Sequence, residues 1–503
     1  MNRFVVILLC FSTTLAAQNK SDYVWLFSFD FTESLDNFEG SIIDFNDNLR
    51  SVNYQELPIE LRVTNASICD RISGRLLFYT GGCSIIDSSH NVMLNGDQIN
   101  PGKLHDTWCN DVGSYPQINT SIILNAPNDQ NEFYLIHQNR VPKTAPAFGL
   151  LYSKVNMTGN NGLGEVVEKN VVLIDTVELK GSYLQACKHF NDEDWWITVL
   201  DDSTSNIILM SLNENGIEIV DSIPQQIVDN DNTSSSGHSC FSPHGDKYAW
   251  YNKYDGLYVY NFDNALGEFE PLIQLSLPPI STEFVEFFGM PCFSPSGQYI
   301  YITTDWRVFQ LDLESANIEE SLELIALWDG FGDPLPVGFA SSLLGPDCKI
   351  YTAGGSGTKH LGIIHNPDMK GKSCNFAQHD LELPWHKSSG VVPNLPHFRT
   401  NESNPCNDQI TSVFDHIKIP NILELNAYPN PASDRISFQF SKPVKDMCTI
   451  EIFSSNGSLM VSDVVDKFYV SKTINITSLT DGLYFWRCFD KKGSIKSDKF
   501  VKL

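Results

Sequence analysis

The sequence has no GxSxG, HExxH, P-loop or GxGxxG in a strand–turn–helix setting that would give such a motif its chemistry. No CxxC and no zinc-type pairing occurs among its 12 cysteines, which argues against a metal centre built on thiolates. Past the first residues there is no apolar run of about 18, the length a membrane-spanning helix needs. Helical periodicity is scarce, with Ala316–Leu327 the one passable stretch. Basic residues are few, 34 Lys and Arg against 61 Asp and Glu, for a formal net charge of −27. The shortage is uneven: residues 426–503 hold 11 basic and 8 acidic residues, so the body before them carries −30. A body this acidic repels phosphate backbones, which makes nucleic acid a poor partner. It reads as a solvated acidic surface, with cation or polycation binding as the alternative.

What is present starts with an export signal. Arg3 gives a positive n-region, Phe4–Phe11 an eight-residue apolar core, and Thr14–Gln18 small residues for cleavage after Ala16 or Ala17. Residues 1–17 are therefore expected to leave the mature chain, which then has no transmembrane segment. Cleavage removes Cys10 and leaves 11 cysteines, an odd number, so at least one is unpaired or pairs between chains. At 503 residues the chain exceeds what one core usually serves, and 12% aromatics lean towards strands.

The middle is a repeat. Gly237–Trp250 (GHSCFSPHGDKYAW) returns 52 residues later as Gly289–Ile302 (GMPCFSPSGQYIYI), and again as Ser341–Ala353 (SSLLGPDCKIYTA). Looser copies are Ala66–Tyr79, Ser121–Ile136 and Gln185–Val199. Each copy is a short apolar strand, a turn rich in Pro, Asp, Asn and Gly, and an aromatic strand. Antiparallel repeats of this length are the mark of propeller blades, whose faces are buried only by stacking round an axis. Tyr23–Phe29, Ser41–Phe45 and Gly390–Phe398 are strand-like segments outside the motif. Joining both ends in one further blade predicts seven blades over residues 22–400, with six as the alternative.

Residues 401–425 read as a linker. A second unit opens at Tyr428, with strands expected at Ile436–Phe440, Thr449–Phe453, Lys472–Ile476, Gly482–Phe489 and Lys499–Leu503. Short strands with turns between them predict a small immunoglobulin-like β-sandwich. Cys448 and Cys488 are the two cysteines after the linker and are candidates for a disulfide, if the strands that carry them are neighbours.

Two resemblances follow from these motifs. Gly74–Gly96, the FSPxG copies, Leu344–Ala353 and Gly362–Phe376 look like a family of secreted Bacteroidetes propellers, which implies fold and compartment and no particular reaction or cofactor. Cys348 departs from that pattern, standing where the turn usually has Gly. The opening Tyr428-Pro429-Asn430-Pro431, the hairpin turn at Gly457, the segment from Gly482 through Tyr484, and Lys502 near the end resemble the C-terminal sorting domain of type IX secretion cargo. That resemblance, over residues 426–503, implies a partner in the type IX machinery and a destination on the cell surface or in the medium, reached through the periplasm.

Candidate chemistry is thin. Lys188, His189, Asp192, Glu193 and Asp194 form the densest ionisable cluster, beside Trp195 and Trp196; a carboxylate pair there could act on a glycoside. The cluster sits where other copies have their hairpin turn, so it is expected to be a turn. Asp229, Asp231 and Thr233 suggest a calcium loop, but its twelfth position is Cys240 where an EF-hand needs Glu. Asp44, Asn46 and Asn48 are no stronger. No catalytic and no metal residue is assigned. The expectation is a non-catalytic binding or structural protein of unknown ligand, with a secreted polysaccharide or peptide hydrolase or lyase as the alternative. What lines the axial channel discriminates between them.

Overall fold

The computed structural model describes residues 18–29, 38–46, 50–110, 113–116, 118–139, 149–175, 177–225, 237–280, 285–355, 357–387, 392–400, 425–440, 447–454, 458–465, 471–490 and 493–503. Two units are distinguished, Met1–Asp408 and Gln409–Leu503.

The first unit contains seven antiparallel sheets among the described residues. Their inner strands are Val24–Ser28, Ala66–Cys69, Ser121–Asn125, Gln185–Lys188, Gly237–Phe241, Gly289–Phe293 and Ser341–Leu344. The first two sheets have three strands and the other five have four. Every sequence copy is the inner hairpin of one sheet. In the fifth, Gly237–Phe241 pairs with Lys247–Asn252 around the Ser-Pro-His-Gly turn, and Gly245 takes φ +66° there. At the corresponding turn of the seventh sheet Cys348 takes φ +61°, the left-handed conformation that explains why Gly is usual, and this residue is disulfide-bonded.

The sheets close into a ring through shared cores. Val24 and Leu26 pack with Tyr79 and Ile86 between sheets one and two. A larger cluster from Ala66 to Trp195 joins sheets two, three and four. Trp196 with Tyr248 and Trp250 joins four and five. Tyr251 with Ile300 and Ile302 joins five and six, and Tyr301 with Ile350 joins six and seven. Trp25 and Phe27 with Tyr351 and Ile363 return from seven to one. The inner strands are therefore buried on both faces, a pattern that stacked sheets satisfy, while outer strands such as Gly216–Ile223 are largely exposed; each fully buried Ile, Leu or Phe contributes roughly 1.5–3 kcal/mol. Aromatic side chains carry much of this packing: Trp250 stacks on Tyr258 with centroids 4.0 Å apart.

The ring closes differently from the sequence expectation. Residues 392–398, the described part of Gly390–Phe398, form no strand with Tyr23–Phe29. The first sheet is Val24–Ser28, Phe38–Asp44 and Ser51–Leu57, all N-terminal. The physical reason is composition: Pro393 and Pro396 have no N–H to give a ladder. The two ends meet instead through an ion pair, with Arg399 donating to Asp22 from both terminal nitrogens at 2.7 Å and to the Asn19 carbonyl at 2.8 Å. A second correction concerns Ala316–Leu327. It is a 3-10 turn, Glu319–Ser321, followed by the outer strand Glu323–Leu327, because pairing with Arg307–Asp312 outweighs a weak helical period. The α-helix present, Lys103–Trp108, has no apolar period and is tethered by the Cys83–Cys109 disulfide.

The second unit is a β-sandwich. One sheet holds Leu425–Tyr428, Arg435–Phe440 and Ser471–Asn475; the other holds Leu459–Val465, Cys448–Ser454, Gly482–Asp490 and Gly493–Lys502. Its core includes Ile436, Phe438, Ile450, Ile452, Trp486 and Phe500. Leu425–Tyr428 and Leu459–Val465 are strands beyond the five expected.

Candidate functional site

The inner strands of the ring surround an axis, and the chain itself runs along it. Asn394 donates its backbone N–H to Asn65 and its side-chain amide to the carbonyls of Asn119, Ser121 and Leu184. Gln185 donates to Asn394 Oδ1 at 2.6 Å, and His397 forms a parallel bridge with Cys187. Leu395 joins the core between sheets seven and one, while Phe398 meets Trp195 edge-on at 5.7 Å. Residues 392–398 therefore run along the channel, from Asn394 where the inner strands begin to His397 towards their ends. Burial holds the His397 imidazole down at about 4, so it packs there as a neutral ring.

Where the inner strands begin, a cavity of about 80 Å³ remains beside this segment, with Asn119 common to both. Its lining comes from the residues that open those strands: Asn119, Gly237, His238, Gly289, Met290 and Ser341, with Val63, Ile118, Phe288, Ala340 and Gly355 around them. His238 is fixed on both ring nitrogens. Nδ1 donates to the Ser239 carbonyl at 2.6 Å, which leaves Nε2 to accept the Asn119 amide N–H at 2.9 Å. Burial pushes this imidazole down to about 4, so it stays neutral at physiological pH. The described lining is thus amide, hydroxyl, neutral imidazole, main chain and apolar.

The ionisable cluster at Lys188 is a turn. Lys188 Nζ donates to the carbonyls of Asp192 and Glu193 at 2.9 and 3.2 Å and lies 4.3 Å from the Trp195 ring centroid. Burial pushes its ammonium down to about 8. Asn191 Oδ1 accepts the N–H groups of Glu193 and Asp194, and Asp192 takes φ +63°, as a tight turn requires. Asp44 and Asn46 form a local turn as well, with Asn46 N–H donating to Asp44 Oδ1. Asn48, Asp229, Asp231 and Thr233 lie outside the described residues.

In the sandwich the sorting-motif residues come together at one strand. Asn430 Oδ1 accepts the Val501 N–H at 3.0 Å, and Ala432 N–H donates to the Val501 carbonyl at 2.8 Å. This stitches Tyr428-Pro429-Asn430-Pro431 to the last strand. Gly482 pairs with Lys502, and Lys502 Nζ lies 3.5 Å from Asp481. Tyr484 donates to the Thr480 carbonyl at 2.8 Å. Gly457 lies outside the described residues. Cys448 and Cys488 are buried on neighbouring strands; Cys488 faces Ile450, so the two are diagonal neighbours. The Cys83–Cys109 disulfide was not legible in the sequence, because spacing alone does not select a pairing.

Comparison with known proteins agrees with this division. Residues 426–502 match the family described as the secretion system C-terminal sorting domain. No curated protein matches the chain. Among solved structures, the periplasmic gluconolactonase of Pseudomonas aeruginosa is 13% identical, with 74% of this chain and 100% of that chain covered at a TM-score of 0.39. A Lactobacillus plantarum protein is 11% identical, with 90% and 99% covered at 0.35. The β-propeller domain of Swd1 from Myceliophthora is 9% identical, with 68% and 96% covered at 0.35. Likeness this distant carries no weight beside the sheet register and the shared cores, which define the propeller directly. Among the described residues no helix is long and apolar enough to cross a membrane. The chain is therefore a β-propeller followed by a type IX secretion sorting domain, which directs it to the cell surface or the medium.

Proposed function

We propose that the propeller is a non-catalytic binding or structural module of the cell exterior, and that the sorting domain is its address. The observation that carries this reading is the axis. The chain's own residues 392–398 occupy the axis, and the cavity that remains where the inner strands begin is lined by fixed amides, a neutral imidazole and apolar side chains. Such a lining holds a ligand by shape and hydrogen bonds. The carboxyl nearest the mouth, Asp305, does not make the pair that glycoside hydrolysis uses, since the adjacent Glu286 is clamped by Arg307. In this reading, export begins with removal of residues 1–17, and residues 401–425 are a linker that lets each unit fold alone.

The test is incubation of the purified mature protein with a panel of plant, algal and bacterial polysaccharides and with casein. Reducing ends and new amino termini are measured over a day. No turnover is expected; release of products that co-purifies with the protein and survives conservative changes in the sorting domain would overturn the reading.

A further inference from the structure

The rim of the axial mouth is aromatic and its floor is rich in acceptors. Tyr254, Phe287 and Phe288 are 43%, 56% and 37% exposed, an unusual degree for large rings on one face. Two of these rings already accept an ammonium group: Lys253 Nζ lies 4.6 Å from the Tyr254 centroid and 5.1 Å from that of Phe287. Beneath them Asp305 is buried. Its Oδ2 accepts the N–H groups of Phe287 and Phe288, while a Cβ built on Gly355, which lines the cavity, would lie 3.4 Å from its Oδ1. Burial, the largest influence, raises the Asp305 carboxyl above the usual range, against the opposing pull of the Phe287 and Phe288 N–H groups and of the Lys253 ammonium, so a further cation beside it would relieve an unfavourable charge.

A second, independent observation comes from Asn119. It is 1% exposed and lines the cavity, and its Oδ1 accepts no hydrogen bond from any described residue, because its amide N–H groups face His238. An unmet buried acceptor costs on the order of 1–3 kcal/mol, so a donor is wanted there. The cavity of about 80 Å³ has room for an ammonium head and the end of its alkyl stem. The long-range field has the same sign preference, since residues 1–425 carry −30.

We propose that this mouth recognises a primary alkylammonium group, the tip of a lysine side chain in a basic peptide. Asn119 Oδ1 borders its place, the buried Asp305 carboxylate stands behind the lining residue Gly355 and adds its charge, Phe288 and Met290 take the stem, and Tyr254 and Phe287 take the neighbouring peptide. This rests on the binding reading above and names the ligand class for it.

The test is titration calorimetry of the full mature chain with three probes: acetyl-Gly-Lys-Gly-Lys-Gly-amide, the same peptide acetylated on both lysines, and spermidine. The lysine peptide should bind, and acetylation should weaken it about tenfold or more, since the charge and two donors are lost. Asp305→Asn keeps an acceptor for Phe287 and Phe288 and should weaken the peptide about tenfold with an unchanged urea midpoint. Asn119→Ser, which leaves Asp305 intact, should weaken it as well. Equal binding by the wild type and both variants, abolished by salt, would reduce the effect to a diffuse acidic surface and overturn the site. Absence of binding to the wild type would do the same, and spermidine binding more tightly than the peptide would overturn the peptide assignment. Recovery of cleaved peptide would instead overturn the binding reading.

Discussion

Replacing Arg399 with Ala removes a buried charged link between the two ends of the propeller. Arg399 and Asp22 are 9% and 5% exposed, and the guanidinium grips the carboxylate with two hydrogen bonds. Without it Asp22 is a buried carboxylate lacking its counter-charge, and breaking such a pair from one side costs about 3–5 kcal/mol. The loss falls on the seam where Trp25 meets Tyr351 edge-on at 5.2 Å, so opening there exposes the core between the first and seventh sheets. Urea unfolding followed by tryptophan fluorescence reads it, since eight of the nine tryptophans precede residue 409. With a urea slope of about 3 kcal/mol per molar, the midpoint should fall by about 1 M or slightly more. The double change Asp22→Leu with Arg399→Met should cost less than Arg399→Ala alone, because neither charge is then stranded. A single-variant shift below about 0.3 M, or a double variant with additive losses, would refute the clasp.

Stability should also depend on pH through His137, His238 and His397, whose imidazoles burial pushes down to about 3, 4 and 4. The unfolded chain protonates them near pH 6.5, so it binds more protons below that value; stability is complete above it and falls as pH drops towards 4. The limit is about 1.4 kcal/mol per pH unit for each histidine, and His137→Asn should remove about one third of the slope between pH 6.5 and 5. For the exported protein, a Cys448–Cys488 bridge is proposed: both side chains are buried in one sheet, and the diagonal of roughly 7 Å has to close to about 4 Å at Cβ. Non-reducing peptide maps should show the linked pair, worth on the order of 3–4 kcal/mol; alkylation of both thiols in exported protein would end the idea.

The sheets were largely legible because six inner hairpins carry the same local grammar, apolar strand, polar turn and aromatic strand, at intervals of about 50 to 65 residues. The first sheet was visible as Tyr23–Phe29 and Ser41–Phe45 even without the turn motif. The path of residues 392–398 was not legible: alternation suggested a strand, and only the surrounding carbonyls of Asn119, Ser121 and Leu184 determine that Asn394 turns inward. The mouth escaped notice for a related reason. Asn119 and His238 are 119 residues apart in sequence, only His238 falls in a repeat copy, and the two meet because both stand where inner strands begin. The turn at Lys188 was readable because its position in the repeat outweighed its density of charge.

Export depends on the sandwich folding and being recognised as a unit, and truncation tests this most directly. In a host with type IX machinery, the full-length chain and a chain ending at Asn421 are expressed at equal levels, and the propeller is quantified in periplasm, at the surface and in the medium. The full-length protein should reach the surface or medium, while the shortened chain should accumulate in the periplasm with an unchanged propeller urea transition. Arrival of the shortened chain outside the cell at the full-length level would contradict the assignment of residues 426–502 as the sorting domain.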